Sequence, residues 1–316
     1  MSEHLNQSQT LLNESNAILL SLLPSHIMWI IIGGITTFTG CITLAVFCFR
    51  LTLQDLHYHM VVHLTFGQLL NAGTVLCVGM KRLTLALMKV GEVSTPLRCG
   101  VDIVAVSYGR LITPLLTGTI TAIRLAALIA PLKFRAVDGR WPIFLVYCCW
   151  PLGLAVMLAQ LMQPKVSHIP VCLFKLTVTE MGRSIYVGIR VITCSSIVIQ
   201  CVVLYQLFAI RRRQKLASSG KPDIVTEAEL RAARSVLFVA INFTICWLIP
   251  EISLYTVNFL FLDDTAAAKT MSILPAVNTL AALMDFLLYL VSDDKFRTAL
   301  LPSRAHSITK IQFFKI

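Results

Sequence analysis

Long apolar segments alternate with short polar connections along most of the chain. Each is about 20 or more residues long, the length an α-helix needs to cross the hydrocarbon core of a membrane. The apolar residues are consecutive, whereas strands of a membrane β-barrel alternate apolar and polar positions. Helices satisfy their own backbone in lipid, so we predict an all-α polytopic membrane protein. The seven predicted spans lie at about 27–49, 58–80, 100–130, 142–163, 184–210, 232–261 and 270–291.

The composition also argues against a water-soluble fold. Hydrophobic residues make up 56% of the chain and charged residues 14%, whereas soluble domains carry about 25% charged residues. The net charge of +11 would suggest nucleic-acid binding in a soluble protein, but here much of the positive charge flanks apolar segments. We interpret it as orientation of the helices by basic cytoplasmic loops. The expected surroundings are membrane lipids, not nucleic acid.

Two features indicate the orientation in the membrane. Asn6 and Asn13 each begin an Asn-x-Ser glycosylation signal, which places the N-terminal tail, 1–26, outside the cell. A third match at Asn242 lies inside an apolar segment and is expected to be silent. Seven crossings then make the C-terminal tail, 302–316, cytoplasmic. Most of the 27 Lys and Arg residues lie in or beside the segments that this topology places in the cytoplasm, as the positive-inside rule expects.

The end of the third span carries a recognisable motif. Arg124, with Pro131 and Leu132 downstream, resembles the aspartate-arginine-tyrosine segment of rhodopsin-like G-protein-coupled receptors at the family spacing. Positions on the other helices then match the family as well: Gly40, Cys99, Trp150, Cys172, Tyr205, Phe243, Trp247, Asp285, Tyr289 and Phe296.

The resemblance covers about 26–301 and implies a fold and a function. It implies a seven-helix receptor domain over 27–301, which ends in a short amphipathic eighth helix at about 293–300. Members of the family bind small ligands in the outer half of the bundle and signal to a heterotrimeric G protein. We therefore expect a plasma-membrane receptor without a cofactor, and not an enzyme. Cys99 and Cys172 match the family's disulfide on the oxidising outer side, with two free thiols as the alternative.

Several family positions differ in this chain. The acid before the motif arginine is Ile123, the sodium-binding aspartate of helix two is Gln68, and the proline of helix seven is Phe286. With an amide at position 68, the resemblance to a sodium site is weakened. Pro250 follows Trp247 by three residues instead of two, so either helix six carries a bulge or the register is shifted by one.

Among the subfamilies, the chain looks most like vertebrate odorant receptors, particularly those of fish. The similarity lies in the Thr-Pro-Leu run that starts at Thr113, the helix exit at Pro131 and the Lys-Phe-Arg run that starts at Lys295. Chemosensory receptors of this kind lose motif residues readily, so the departures fit that class.

Arg124 is the predicted centre of a switch. It lies near the cytoplasmic end of the third span, where it can reach Glu229 at the foot of the sixth. We expect an ion pair in the inactive state, whose breakage frees the arginine for a G protein. Extension of Arg124 to the lipid headgroups is the alternative. The resemblance adds four further positions to the switch: Pro131, Tyr205, Asp285 and Tyr289.

Charged residues in the outer half of the bundle indicate the ligand. Arg110 lies about four helical turns before Arg124, and a charge at this depth costs at least about 2.5 kcal/mol without a cavity or partner. Arg190 and Glu251 lie at comparable depth. Glu251 can pair with only one of the two arginines, so the other needs a different anion. This predicts a ligand with a carboxylate, sulfate or phosphate. The alternative is that the three charged residues only join helices. The predicted ligand-binding set is completed by Val106, Ser107, Trp247 and Tyr255.

Other functions are less well supported. His59 and His63, one helical turn apart, could ligate a metal or haem, but no second histidine pair faces them from another span. A retinal chromophore needs a lysine midway along the last span, whereas Lys269 lies at its outer end. A small-solute transporter or channel is the main alternative. It would need polar residues through the whole membrane depth and often inverted repeats, and the sequence shows no repeat.

Overall fold

The structure of the 316-residue chain is a computed structural model. It describes residues 10, 13, 15–49, 56–90, 96–129, 140–161, 180–217, 241–250, 252, 253, 256 and 264–300. These residues are almost entirely helical, which confirms the predicted all-α class.

Six of the predicted spans coincide with long helices, apart from a few terminal residues. In chain order the helices are α1 (Leu23–Phe49), α2 (Leu56–Met88), α3 (Pro96–Ile129), α4 (Arg140–Leu161), α5 (Glu180–Ala217), α6 (241–250), α7 (Asp264–Ser292) and α8 (Asp294–Leu300). α6 is the described part of the predicted span 232–261. The short helix expected after the last span is confirmed by α8.

Four helices in the described part of the chain are long and apolar enough to cross a membrane, by length and composition. They are Leu23–Phe49, Tyr58–Met88, Arg140–Ala159 and Ser272–Val291. These helices support the prediction that the chain is a membrane protein.

The outer faces of the helices are apolar, and the interior between them contains apolar clusters together with buried polar side chains. Large apolar side chains are exposed, such as Phe38 (67%), Leu87 (70%) and Val291 (70%). Apolar side chains exposed to this extent are unusual in a soluble protein and suit outer faces that contact lipid. The buried polar side chains include Thr36, Thr65, Gln68, Asn71, Ser107, Gln200, Asn242, Asn278 and Asp285.

α3 lies in the middle of the packing arrangement, where it contacts α2, α4, α5 and α7. Around it, α1 packs against α2 and α7, α4 against α2 and α5, and α6 against α5 and α7. These contacts form a closed ring around α3. A polar side chain on α3 is therefore placed to reach polar groups on α2 and α7.

α2 and α3 approach each other closely at Gly109. A Cβ atom at this position would lie 2.6 Å from Cα of Asn71 and 2.8 Å from its Cβ, closer than real Cβ atoms pack. Glycine therefore permits the approach of the two backbones. It also sets the position of its neighbour, Arg110, relative to α2.

α8 begins where Asp293 caps its first turn. The Asp293 Oδ1 accepts hydrogen bonds from the backbone N–H groups of Lys295 (2.9 Å) and Phe296 (3.1 Å), which would otherwise lack helical partners. Phe296 then packs against Phe47 and Tyr289, with ring centroids 5.2 Å and 5.8 Å apart. This aromatic cluster fixes the end of α7 against α1.

Candidate functional site

Asp285 of α7 is the centre of a buried polar cluster, and only 5% of its surface is exposed. The Nε2 atom of Gln68, on α2, donates a hydrogen bond to Asp285 Oδ2 at 2.6 Å. The Nδ2 atom of Asn242, on α6, donates to Asp285 Oδ1. A single carboxylate therefore ties α2 and α6 to α7.

Asn242 is held by a second hydrogen bond to the same helix. Its Nδ2 also donates to the backbone oxygen of Ala281, at 3.0 Å. Ala281 lies one turn before Asp285 on the same face of α7, and its small side chain lets α6 approach. Both amide hydrogens of this buried asparagine are thus satisfied inside the protein.

Arg124 of α3 lies within electrostatic range of the same cluster. Its half-buried guanidinium interacts electrostatically with Asp285 and with Tyr289, one turn further along α7. A guanidinium beside a carboxylate offsets part of the cost of burying each charge. We call Gln68, Arg124, Asn242, Asp285 and Tyr289 the inner cluster, which joins α2, α3, α6 and α7.

α6 contains a π-helical turn from Thr244 to Leu248, in which the Ile249 N–H donates to the Thr244 carbonyl five residues earlier. A π turn inserts one extra residue into an α-helix. The insertion accounts for the three-residue separation of Trp247 and Pro250. The bulge predicted as one of two explanations for this spacing is therefore confirmed.

The π turn contains Trp247, whose side chain is 2% exposed. Its ring stacks on Phe243, with centroids 6.1 Å apart and 22° between the ring planes. Both rings belong to a buried cluster that includes Ala281 of α7 and Ile197 of α5. Within the described part of the chain, the Trp247 Nε1 donor is buried without a hydrogen-bond partner. Such unsatisfied donors are uncommon in native proteins.

Arg110 belongs to a second polar cluster. In the amide orientation that satisfies the whole side chain, Asn278 of α7 accepts a hydrogen bond from Arg110 Nε at 3.3 Å. Its Nδ2 donates to the backbone oxygen of Cys246, inside the π turn, at 2.9 Å, and to that of Leu274 at 3.3 Å. We call Arg110, Asn278 and Cys246 the outer cluster, which joins α3, α6 and α7.

Cys246 connects the two clusters. Its Sγ donates to the Oδ1 atom of Asn242 at 3.3 Å, and its side chain is 2% exposed. A continuous series of polar residues therefore runs from Arg110 through Asn278, Cys246 and Asn242 to Asp285. The series crosses between α3, α6 and α7 and ends on the carboxylate that faces Arg124.

The predicted ligand-binding residues are only partly described. Trp247 lies within the π turn, whereas Arg110 lies on α3 and is linked to the turn through Asn278. Ser107 is buried, with 3% of its surface exposed, and Val106 is half-buried against the apolar cluster around Trp29. The side chain of Arg190, as well as Glu251 and Tyr255, lies outside the described residues. Ligand binding stays a prediction for all seven positions.

The predicted switch residues divide in a similar way. The inner cluster contains Arg124, Asp285 and Tyr289. Tyr205 is 70% exposed on the outer face of α5 and is not part of this cluster. The pairing of Arg124 with Glu229 stays a prediction, because Glu229 lies outside the described residues, as does Pro131.

The predicted disulfide and glycosylation sites also remain predictions. The side chain of Cys99, as well as Cys172 and Asn6, lies outside the described residues. Asn13 is described and exposed, as a glycosylation acceptor needs to be.

The two histidines of α2 pack as aromatic rings against α4. The His59 and His63 rings are 5.0 Å apart, and His63 lies 4.6 Å from the ring of Tyr147. His63 Nδ1 accepts a hydrogen bond from Trp150 Nε1 at 3.2 Å, so the lone pair on that nitrogen is engaged. Among the described residues, no group of three or more His, Cys, Asp or Glu is arranged to hold a metal.

Two asparagines of the site, as well as Cys246, had no functional role in the sequence-based prediction. Asn242 was noticed only as a silent glycosylation signal, and Asn278 was not singled out. Their signal in the sequence is an amide side chain within an apolar span, which is expected to pair with another buried polar group. The partner and its helix follow only from the packing.

No protein-family model and no curated protein matches this chain. We therefore infer its function from the geometry of the helices. The fold and site define a helical protein able to span a membrane, with an apolar outer surface and two connected polar clusters inside.

Proposed function

We propose that this protein is a seven-helix G-protein-coupled receptor of the rhodopsin-like class, with a chemosensory role. It lies in the plasma membrane with its N terminus outside. Four helices long and apolar enough to span a membrane support this proposal, as do the ring of helices around α3 and the capped α8. The observation that carries it is the electrostatic interaction of Arg124 on α3 with Asp285 and Tyr289 on α7.

The inner cluster has the properties of a two-state element. When α6 lies against α7, Asn242 makes two hydrogen bonds to α7, and Arg124 stays beside Asp285. A movement of α6 away from α7 breaks both bonds of Asn242 and weakens the hold on Arg124. A ligand that binds more tightly to one arrangement shifts the population toward it. In the displaced arrangement, Arg124 is available to a G protein.

The proposed ligand is a small anion that binds beside Arg110 and Trp247. Arg110 supplies a guanidinium, and Trp247 supplies a buried N–H donor without a partner among the described residues. Both groups donate hydrogen bonds. They therefore favour ligands rich in acceptor oxygens, such as carboxylates, sulfates and phosphates.

A second-messenger assay in transfected cells tests the proposal. The panel contains carboxylic acids, steroid sulfates, nucleotides, amines and neutral odorants. We expect anions to activate the wild type and Arg124→Ala to abolish the response at normal surface expression. Arg140→Ala is the matched control, because Arg140 is exposed at the start of α4, and it should respond like the wild type. Normal signalling by Arg124→Ala would refute the role of this residue.

A small-solute transporter is the alternative. Its support is the row of buried hydroxyls on α3, at Thr113, Thr117 and Thr121. Each hydroxyl, however, donates to the backbone carbonyl four residues earlier in its own helix, which uses its donor on the helix itself. Uptake of a panel compound by the same cells, without a second-messenger response, would favour the transporter.

A further inference from the structure

We propose that Asn278 couples ligand binding at Arg110 to the switch. It is a positioning residue whose hydrogen bond to the Cys246 carbonyl holds the π turn of α6. This bond is lost when an anionic ligand binds Arg110. The inference rests on the proposed function and adds the link between its two clusters.

Asn278 is placed to sense the position of Arg110. It is 1% exposed, and its oxygen and nitrogen face different helices: Oδ1 accepts from Arg110 on α3, and Nδ2 donates to Cys246 on α6. If Arg110 turns to another partner, Oδ1 loses this bond in a place without solvent. A buried acceptor without its donor is unfavourable, so the amide reorients, and its bond to Cys246 is lost.

An anionic ligand competes well for Arg110. The Nε atom of the guanidinium donates to a neutral amide oxygen at 3.3 Å. Hydrogen bonds between a guanidinium and a carboxylate or phosphate are charge-assisted, often bidentate, and about twice as strong as neutral ones. A neutral ligand lacks this advantage and leaves Asn278 in place.

Loss of the hydrogen bond from Asn278 to the Cys246 carbonyl affects α6 at its π turn, where the helix is already irregular. Uninterrupted α-helical bonding is the preferred state, and π turns persist where the surroundings support them. Asn278 is such a support, because it donates to a carbonyl within the turn. A shift of the turn moves Cys246, whose Sγ contacts Asn242. The shift therefore reaches the hydrogen bond between Asn242 and Asp285.

The first test is a double-mutant cycle on the purified full chain in lipid nanodiscs, with thermal unfolding as the readout. We expect Arg110→Ala and Asn278→Ala each to lower the unfolding midpoint by about 3 °C. The unfolding midpoint of the double variant should be no lower than that of the less stable single variant, because both substitutions remove the same hydrogen bond between Arg110 and Asn278. Additive shifts would overturn the inference.

Thr279→Val is the matched control for the cycle. Thr279 is also buried on α7, with 2% of its surface exposed, but its hydroxyl donates within its own helix, to Ala276 at 2.6 Å. Its effect should add to that of Arg110→Ala. If the effects of Thr279→Val and Arg110→Ala on the unfolding midpoint were also non-additive, the cycle would report general destabilisation. The support for a specific link between Arg110 and Asn278 would then be lost.

Basal second-messenger production tests the coupling itself. Asn278→Ala and Asn278→Asp both remove the donor to Cys246, so each should raise basal output by about fivefold; Thr279→Val should not. Asn278→Asp still accepts from Arg110, so wild-type output from this variant would overturn the role of the Cys246 contact. If the wild type gives no second-messenger response with any ligand and any G protein, the proposed function is overturned. If the effects of Arg110→Ala and Asn278→Ala on the unfolding midpoint are additive, only this inference is overturned.

Discussion

Asp285 shows how one buried carboxylate can hold three helices without a second acid. Gln68 and Asn242 are neutral donors, so they satisfy the carboxylate oxygens without adding charge to the interior. Arg124 supplies the opposite charge from α3. Because position 68 carries an amide, the cluster offers a cation one carboxylate instead of two. At the scale of residues, the arrangement suits a latch between helices better than a cation site.

Asn242→Ala tests this latch. The substitution removes the two hydrogen bonds that Asn242 makes to α7 and leaves Asp285 Oδ1 without its amide donor. We expect the free energy of unfolding to fall by about 1–3 kcal/mol, measured by thermal unfolding in lipid nanodiscs. Ser253→Ala is the control, because its exposed hydroxyl donates to the nearby backbone oxygen of Ile249 and not to α7. Equal stability of the two variants would contradict the latch.

At the scale of elements, close contacts between helices place the polar side chains. α2 and α3 meet at Gly109 and Asn71, which holds Arg110 at a fixed position next to α7. α6 is brought into register by its π turn, which puts Asn242 and Cys246 on the face toward α7. Helix geometry therefore decides which side chains form the two clusters.

Gly109→Ala tests the contact between α2 and α3. The added methyl group would overlap the backbone of Asn71 at 2.6 Å, and backbone atoms move less readily than a side-chain end. We expect a loss of about 1–3 kcal/mol in unfolding free energy. Gly73→Ala is the control on α2, with no atom within 4 Å of its new Cβ, and should be neutral or stabilising by about 0.5–1 kcal/mol. The reverse order of stability would contradict the packing described.

The sequence predicted the helices and part of the site. Continuous apolar runs identify spans because lipid requires a satisfied backbone, and the spacing of Trp247 and Pro250 predicted the bulge as one of two explanations. Asp285 was predicted as a switch residue from the resemblance. The partners Asn242 and Asn278 could not be predicted, because the rotation of one helix against another depends on packing that a single sequence does not contain.

At the scale of the whole molecule, the two clusters form a path of polar side chains from Arg110 to Arg124. In the proposed function, ligand binding at one end changes α6 through the π turn, and the other end holds the arginine proposed to meet a G protein. The apolar outer surface keeps the helices in lipid, so the rearrangement takes place among the interior side chains and by movement of α6.

Basal second-messenger output of Asp285→Asn, alone and combined with Arg124→Ala, tests the central claim most directly. Loss of the negative charge should release Arg124 and raise output by about fivefold over the wild type at equal surface expression. Adding Arg124→Ala should return it to the level of untransfected cells. Wild-type output from Asp285→Asn, or persistent output from the double variant, would contradict the account.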